Sequence, residues 1–219
     1  MSKELINGNY YLVSVGLILL AFVVFFFSYE RRKPQAREMV TLSVMSAIAI
    51  ASRAAFAMIP FFKPINGIIM ITGMAFGPGA GFLTGVVSAF VSNFIFGQGP
   101  WTPWQMFAYG VGGAIAGWLR KKDIMHEELK LQTALVGYAL IQAVVGPLLD
   151  VCSIFTMSNT ITAQYVITIF GSGLIPNAIH GLATALTLFL LVKPMMEKLN
   201  RMKIKYGMMN KESSEWEEV

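Results

Sequence analysis

The sequence predicts an all-α integral membrane protein with about seven transmembrane helices. Hydrophobic residues make up 55% of its 219 residues and charged residues only 13%, whereas a soluble domain usually carries about 25% charged residues. Long apolar runs alternate with short basic segments, which is typical of a chain that crosses a bilayer repeatedly. Basic residues that set the membrane topology explain the net charge of +5. We therefore expect the protein to lie in a lipid bilayer and not to bind nucleic acid.

Seven apolar stretches are predicted to span the membrane. The first is followed by Glu30-Arg31-Arg32-Lys33 instead of a small-residue cleavage site, so we expect a retained helix and not a signal peptide. The predicted organisation is an extra N-terminal helix with a basic linker (1–38), a six-helix core (39–194) and a charged tail (195–219). The predicted spans are residues 10–28, 39–60, 65–76, 79–96, 102–119, 131–155 and 166–192.

Basic residues predict the orientation of the chain. Of the 17 Lys and Arg residues, 14 follow the first span, lie between the fifth and sixth spans, or follow the seventh. With seven spans these three segments fall on one side of the membrane, and the positive-inside rule makes that side the cytoplasm. We therefore expect a multi-pass protein of the cell membrane, with its N-terminus outside and its C-terminus in the cytoplasm.

Small residues recur at four-residue spacing and predict close helix contacts. Because lipid gives helices no hydrophobic reason to associate, smooth stripes allow the backbones to approach. The glycine stripes around Gly81 and Gly113 are expected to pack within the bundle. The stripe of the second span has two open interpretations, packing within the bundle or docking another membrane protein, and consists of Ser43, Ala47, Ala51 and Ala55.

Two charged residues are predicted within the membrane, where a charge is costly and its presence indicates a role. Arg53 lies about 21 Å and Asp150 about 28 Å above the cytoplasmic start of its span, at 1.5 Å per residue. Both therefore fall in the outer half of the bilayer. They could pair with each other, contact a ligand, or extend separately to the outer surface.

Other polar and aromatic side chains share this outer layer. An outward-facing pocket would combine broad apolar faces with a few orienting hydrogen-bond groups. The alternative for each polar residue is a hydrogen bond between helices. The candidate substrate-binding residues, besides Arg53 and Asp150, are Asn66, Asn93, Gln98, Trp101, Trp104, Gln105, Tyr165 and Asn177.

No catalytic or metal-binding residues are predicted. The chain has no G-x-x-x-x-G-K-[ST] phosphate loop, no H-E-x-x-H and no G-x-S-x-G motif. With two histidines and one cysteine, a zinc site built by the protein is not expected. If the protein transports a solute, its energy should come from a partner.

Several motifs resemble the substrate-binding S component of an energy-coupling factor (ECF) vitamin transporter. The longest is Ser92-Asn-Phe-Ile-Phe-Gly-Gln-Gly-Pro-Trp-Thr-Pro-Trp-Gln-Met106. Shorter ones are Ala47-x-x-x-Ala51, Phe62-Lys63-Pro64 and Phe76-Gly-Pro-Gly-Ala-Gly-Phe82. The resemblance implies a six-helix S-component core, from the second span to the seventh, and the first span departs from that pattern.

The resemblance also implies a function. S components bind a vitamin from outside and dock on a membrane coupling subunit that two cytoplasmic ATPases drive, and they are thought to topple in the membrane. Carried over, Ala47 and Ala51 are the docking candidates. The Gln98–Gln105 signature most resembles the cobalamin type, with queuosine precursors among the rival ligands. Cobalamin would be cargo, and no permanently bound cofactor is expected.

Two other classes of protein compete with this interpretation. A membrane enzyme acting on a lipid or isoprenoid usually shows acidic or histidine clusters near one interface, whereas the only intramembrane acid here is Asp150. An assembly or scaffold protein is the third possibility, and the polar outer layer argues against it.

Overall fold

The computed structural model describes residues 36–157 and 161–207, together with seven residues between 12 and 23. Within these residues the secondary structure is helical, with no strand. The predicted all-α fold is therefore confirmed.

The described part of the core contains seven α-helices and one π-helical turn. Helices α5 (Lys130–Leu140) and α6 (Gly146–Met157) are joined by the π-helical turn Ile141–Val145 into one stretch of 28 residues. The α-helices are α1 (Ala36–Ala55), α2 (Ile65–Phe76), α3 (Pro78–Phe96), α4 (Thr102–Lys121), α5 (Lys130–Leu140), α6 (Gly146–Met157) and α7 (Ala163–Tyr206).

Four helical stretches are long and apolar enough to cross a membrane, namely α1, α3, the α5–α6 stretch and α7. The predicted spans at α2 and α4 fall outside this set. Helix α2 has only 12 residues, about 18 Å against a hydrocarbon core of about 30 Å, and all of its residues are buried. The chain is thus an integral membrane protein in which the short helix α2 lies inside the bundle.

Two helix boundaries differ from the predicted ones. Helix α1 ends at Ala55, before Pro60, because the chain turns through residues 56–64 and Phe61 takes the left-handed conformation with φ 60°. Helix α7 continues to Tyr206, well past the predicted end at Val192, because Lys, Glu and Met are good helix formers whether or not lipid surrounds them.

The three basic segments meet at one end of the bundle, here called the inner end. Lys203 Nζ donates to the Ala75 carbonyl oxygen at 2.8 Å, which brings the end of α7 to the end of α2. Lys193 Nζ donates to Glu128 Oε2 at 2.7 Å, and this hydrogen bond lowers the pKa of the Glu128 carboxyl. Arg37 in α1 also reaches the Tyr206 carbonyl oxygen, at 3.4 Å.

Glycines bring α2, α3 and α4 together. A Cβ added at Gly81 would lie 2.6 Å from the carbonyl carbon of Gly113, and one at Gly117 would lie 2.7 Å from the Gly73 oxygen. The backbones are thus in direct contact, and the predicted packing of the glycine stripes within the bundle is confirmed.

The N-terminal segment packs against the side of this core. Ile18 is 4% exposed and forms a small cluster with Trp104 and Cys152. The ring of Phe22, one turn further along, meets Phe82 edge to face with centroids 6.0 Å apart. The described part of this segment is therefore a helix seated beside α3, α4 and α6.

Candidate functional site

Arg53 is the centre of a polar network at the end of the bundle opposite the basic inner end. We call this the outer end. It is in the last turn of α1 and only 7% exposed. Its Nη1 donates to Ser92 Oγ at 2.6 Å and to Asn93 Oδ1 at 2.9 Å, both on α3. The guanidinium carbon lies 4.4 Å from the centroid of the Phe96 ring, within the range of a cation–π contact.

Asn93 extends the network to α4. Its Nδ2 donates to Gln105 Oε1 at 2.8 Å and to Thr102 Oγ1 at 3.2 Å. Helix α3 ends at Gly97, whose φ of 102° few other residues adopt, and α4 begins at Thr102 with a proline in its first turn. Thr102 Oγ1 in turn donates to Gln98 Oε1 at 2.9 Å. The structure thus brings together Arg53, Asn93, Gln98 and Gln105, as predicted for one polar layer.

Arg53 and Asp150 have different hydrogen-bond partners, so the alternative in which they pair with each other is wrong. Asp150 Oδ2 accepts a hydrogen bond from Asn177 Nδ2 at 2.9 Å. Depth alone put Arg53 and Asp150 near each other, but α1 packs on α3 and α2 while α6 packs on α7 and α4. Asp150 and Asn177, both candidates from the sequence, therefore form a second polar cluster, a pair between α6 and α7.

Asn66 and His180 form a third polar pair, which is fully enclosed. Asn66 Nδ2 lies 2.9 Å from His180 Nε2, within hydrogen-bond distance. The ring of Tyr109 meets the imidazole edge to face with centroids 6.0 Å apart. Asn66 Oδ1 and the Tyr109 hydroxyl are buried without a hydrogen-bond partner among the residues that the structure describes.

The three aromatic candidates lie in different surroundings. Trp101 is 44% exposed in the loop before α4. Trp104 is 7% exposed, and its ring is tilted by 31° against Phe155 at a centroid distance of 6.0 Å. The Tyr165 hydroxyl donates to the Ser153 carbonyl oxygen at 3.3 Å. Trp101 therefore offers an open face, whereas Trp104 is covered by its neighbours.

The small-residue stripe of α1 lies on the outside of the bundle. Ser43, Ala47, Ala51 and Ala55 are all exposed, while Leu42, Met45, Ala49 and Arg53 on the opposite side of the helix are buried. The alternative that the stripe packs within the described bundle is therefore wrong.

Four polar residues of these clusters were not among the predicted site residues. They are Ser92, Thr102, Tyr109 and His180. Ser92 and Thr102 could have been found because they flank the same loop as Asn93 and Gln105. No sequence signal indicates that Tyr109 and His180 meet, since they lie on α4 and α7 and are far apart in the chain.

Comparison with known families identifies the chain. A family model described as "ECF-type riboflavin transporter, S component" matches residues 33–197, about three quarters of the chain. The chain belongs to the ECF S-component family. The protein is thus a substrate-binding subunit of an ECF vitamin transporter and not an enzyme, and S components associate with a coupling subunit and ATPases.

The comparison with curated proteins and the comparison with solved structures find no match for this S component. The family assignment therefore rests on the matched stretch, which includes all the helices of the polar clusters except the final turns of α7.

Proposed function

We propose that this S component captures a corrinoid from the outer side of the cell membrane, with cobalamin as the first candidate. The observation that carries the proposal is the Arg53–Asn93–Gln105 network, which links α1, α3 and α4 next to the loop that holds the exposed Trp101. Such a layer combines fixed polar groups with an open aromatic face, as a site for a large ring system requires.

The corrinoid assignment is supported by the Gln98–Gln105 signature and by the character of the outer end. Trp101 supplies an apolar face, and Gln98 and Gln105 supply amide groups that can exchange hydrogen bonds with the carboxamide side chains of a corrin ring. Cobalamin would be bound as cargo and released, not retained as a cofactor. Riboflavin is the second candidate, favoured by the description of the matched family.

Delivery requires a partner, and the exposed stripe of α1 supports a docking role. Ala47 and Ala51 are exposed one turn apart, so a helix of the coupling subunit can approach to near backbone contact. Two ATPases bound to that subunit on the cytoplasmic side would supply the energy. The basic inner end, which holds Arg37, Lys193 and Lys203, would face these ATPases.

Calorimetry on the purified chain tests the ligand. Cobalamin and cobinamide should bind, and riboflavin should not. Gln105→Leu should weaken corrinoid binding because it removes the acceptor that holds Asn93. Gln132→Leu is a matched control, since Gln132 Nε2 donates to the Ile124 carbonyl at the inner end.

Uptake experiments test the delivery. Cells with the coupling subunit and both ATPases should accumulate the bound vitamin, and cells that have this chain alone should not. Binding of riboflavin without either corrinoid would replace the corrinoid assignment with the flavin one. Binding of no vitamin, with normal folding, would contradict the proposed function.

A further inference from the structure

Arg53 carries a charge that no acidic side chain neutralises in the part of the chain that the structure describes. None of the ion pairs of these residues includes Arg53. Asp150 is hydrogen-bonded to Asn177 instead. The other described acids lie towards the inner end, in the first turn of α1, the α4–α5 loop and the last part of α7, and are Glu38, Asp123, Glu127, Glu128 and Glu197.

The guanidinium group is held firmly on one side only. Nη1 is fixed by Ser92 and Asn93, and Phe96 covers the planar face. Nε and Nη2 have no acceptor among the described residues, and neither is one of the enclosed unpartnered atoms. The Nε–Nη2 edge, here called the open edge, is therefore unpaired among the described residues and not fully enclosed, while its orientation is fixed by the bonds to α3.

An open guanidinium edge has a defined chemical preference. Its two N–H groups point in parallel and match the two oxygens of a carboxylate or phosphate. A largely buried cation that has only neutral partners is costly near the membrane and gains most from a bound anion. Neutral ligands cannot supply this charge.

We propose that the open edge of Arg53 receives an anionic phosphate or carboxylate group of the transported ligand. This inference rests on the proposed function and narrows its substrate class to vitamins that carry an anionic group. Cobalamin has such a group, the phosphodiester of its nucleotide loop, and cobinamide lacks it. A phospholipid headgroup presents the same phosphate chemistry and is the other source that the experiment must separate.

The test compares ligands that differ in the anion. Calorimetry on the full chain in a neutral detergent gives the affinities of cobalamin and cobinamide for the unchanged protein and for Arg53→Gln. Loss of a charge-assisted hydrogen-bond pair should weaken cobalamin binding by about 10-fold to 100-fold, while cobinamide binding should change little. Lys63→Gln, which removes a charge from the neighbouring loop without touching the network, is the matched control and should leave the ratio unchanged.

The outcomes separate this inference from the proposed function. Equal weakening of both corrinoids, or of neither, would overturn the role of Arg53 and leave the corrinoid assignment intact. If the unchanged protein binds no corrinoid, the same comparison is made with flavin mononucleotide and riboflavin, and an equal response of those two also overturns the inference. Failure of all four ligands would reject the proposed function as well.

Two further measurements complete the design. Native mass spectrometry in nanodiscs that contain phosphatidylglycerol detects a bound phospholipid, and its loss in Arg53→Gln without any change in ligand preference would assign the site to lipid and overturn the inference. If Arg53→Gln fails to fold, Arg53→Lys keeps the charge and removes the fork. Its preference for the anionic ligand should fall several-fold, and an unchanged preference would contradict the proposal.

Discussion

Gly113 and Gly81 meet backbone to backbone, so that a Cβ on Gly113 would lie 2.7 Å from the carbonyl carbon of Gly81. A second obstacle, the Cγ2 atom of Ile69, is equally near. Separations of this kind leave no space for a side chain between α3 and α4. The helices that carry Asn93 and Gln105 are thereby held at a fixed distance.

Replacing Gly113 with alanine should destabilise the bundle by about 1–3 kcal/mol, because the methyl group must push α3 and α4 apart. Thermal unfolding in detergent measures the effect. Gly171→Ala in α7 is the matched control, since nothing lies within 4 Å of a Cβ at that position. Equal melting temperatures for the two variants would contradict the backbone contact.

The exposed stripe of α1 predicts a separation of binding from transport. Ala47→Trp or Ala51→Trp should prevent close approach of the coupling subunit, lowering uptake and co-purification by about fivefold or more for a packing loss of about 1–3 kcal/mol. Ligand affinity should not change, because Arg53 and its partners lie at the outer end.

Leu135→Trp is a suitable control for this experiment, since Leu135 is 61% exposed on α5, away from the stripe. Its uptake should match that of the unchanged protein. A stripe variant that transports normally, or one that loses ligand affinity before uptake, would rule out docking through α1.

The position of the basic segments predicts the orientation of the chain. Asp123, whose side chain is 86% exposed, lies in the loop at the inner end, and Met58, which is 93% exposed, lies in the loop after α1. In cells, Asp123→Cys should react only with reagents that reach the cytoplasm, and Met58→Cys with impermeant reagents from outside. The native Cys152 is buried and gives little background. The opposite labelling pattern would invert the proposed topology.

The sequence predicts helix limits well where local chemistry sets them. Helix α2 begins after Pro64 and ends before Gly77, and both residues restrict or free the backbone in ways visible in the sequence. Hydropathy does not predict the end of α7, because the continuous apolar run ends near Val192 while backbone hydrogen bonding continues to Tyr206. The membrane boundary and the helix boundary are different physical limits.

In the candidate site, contacts between residues close in the chain could be predicted, and contacts between distant helices could not. The grouping of Asn93, Gln98 and Gln105 was predictable, since one short loop joins their helices. The partners of Arg53 and Asp150 were not, because depth along a helix gives no information about which neighbour the side chain faces. Likewise, the spacing of small residues around Ala47 is the same for a stripe that packs inside the bundle and for one on its outside. Only the burial of these residues in the structure distinguishes the two.

Helix α7 runs unbroken for 44 residues, about 66 Å and twice the thickness of the hydrocarbon layer. Asn177 and His180 therefore share one helix with Lys193 and Lys203, although Pro194 lies between Lys193 and Lys203 and removes one backbone donor. A tilt of about 5° around Asn177 moves Lys203, about 39 Å away, by roughly 3 Å. Where α7 moves as one body, a small adjustment in the outer half of the molecule becomes a larger displacement at its inner end.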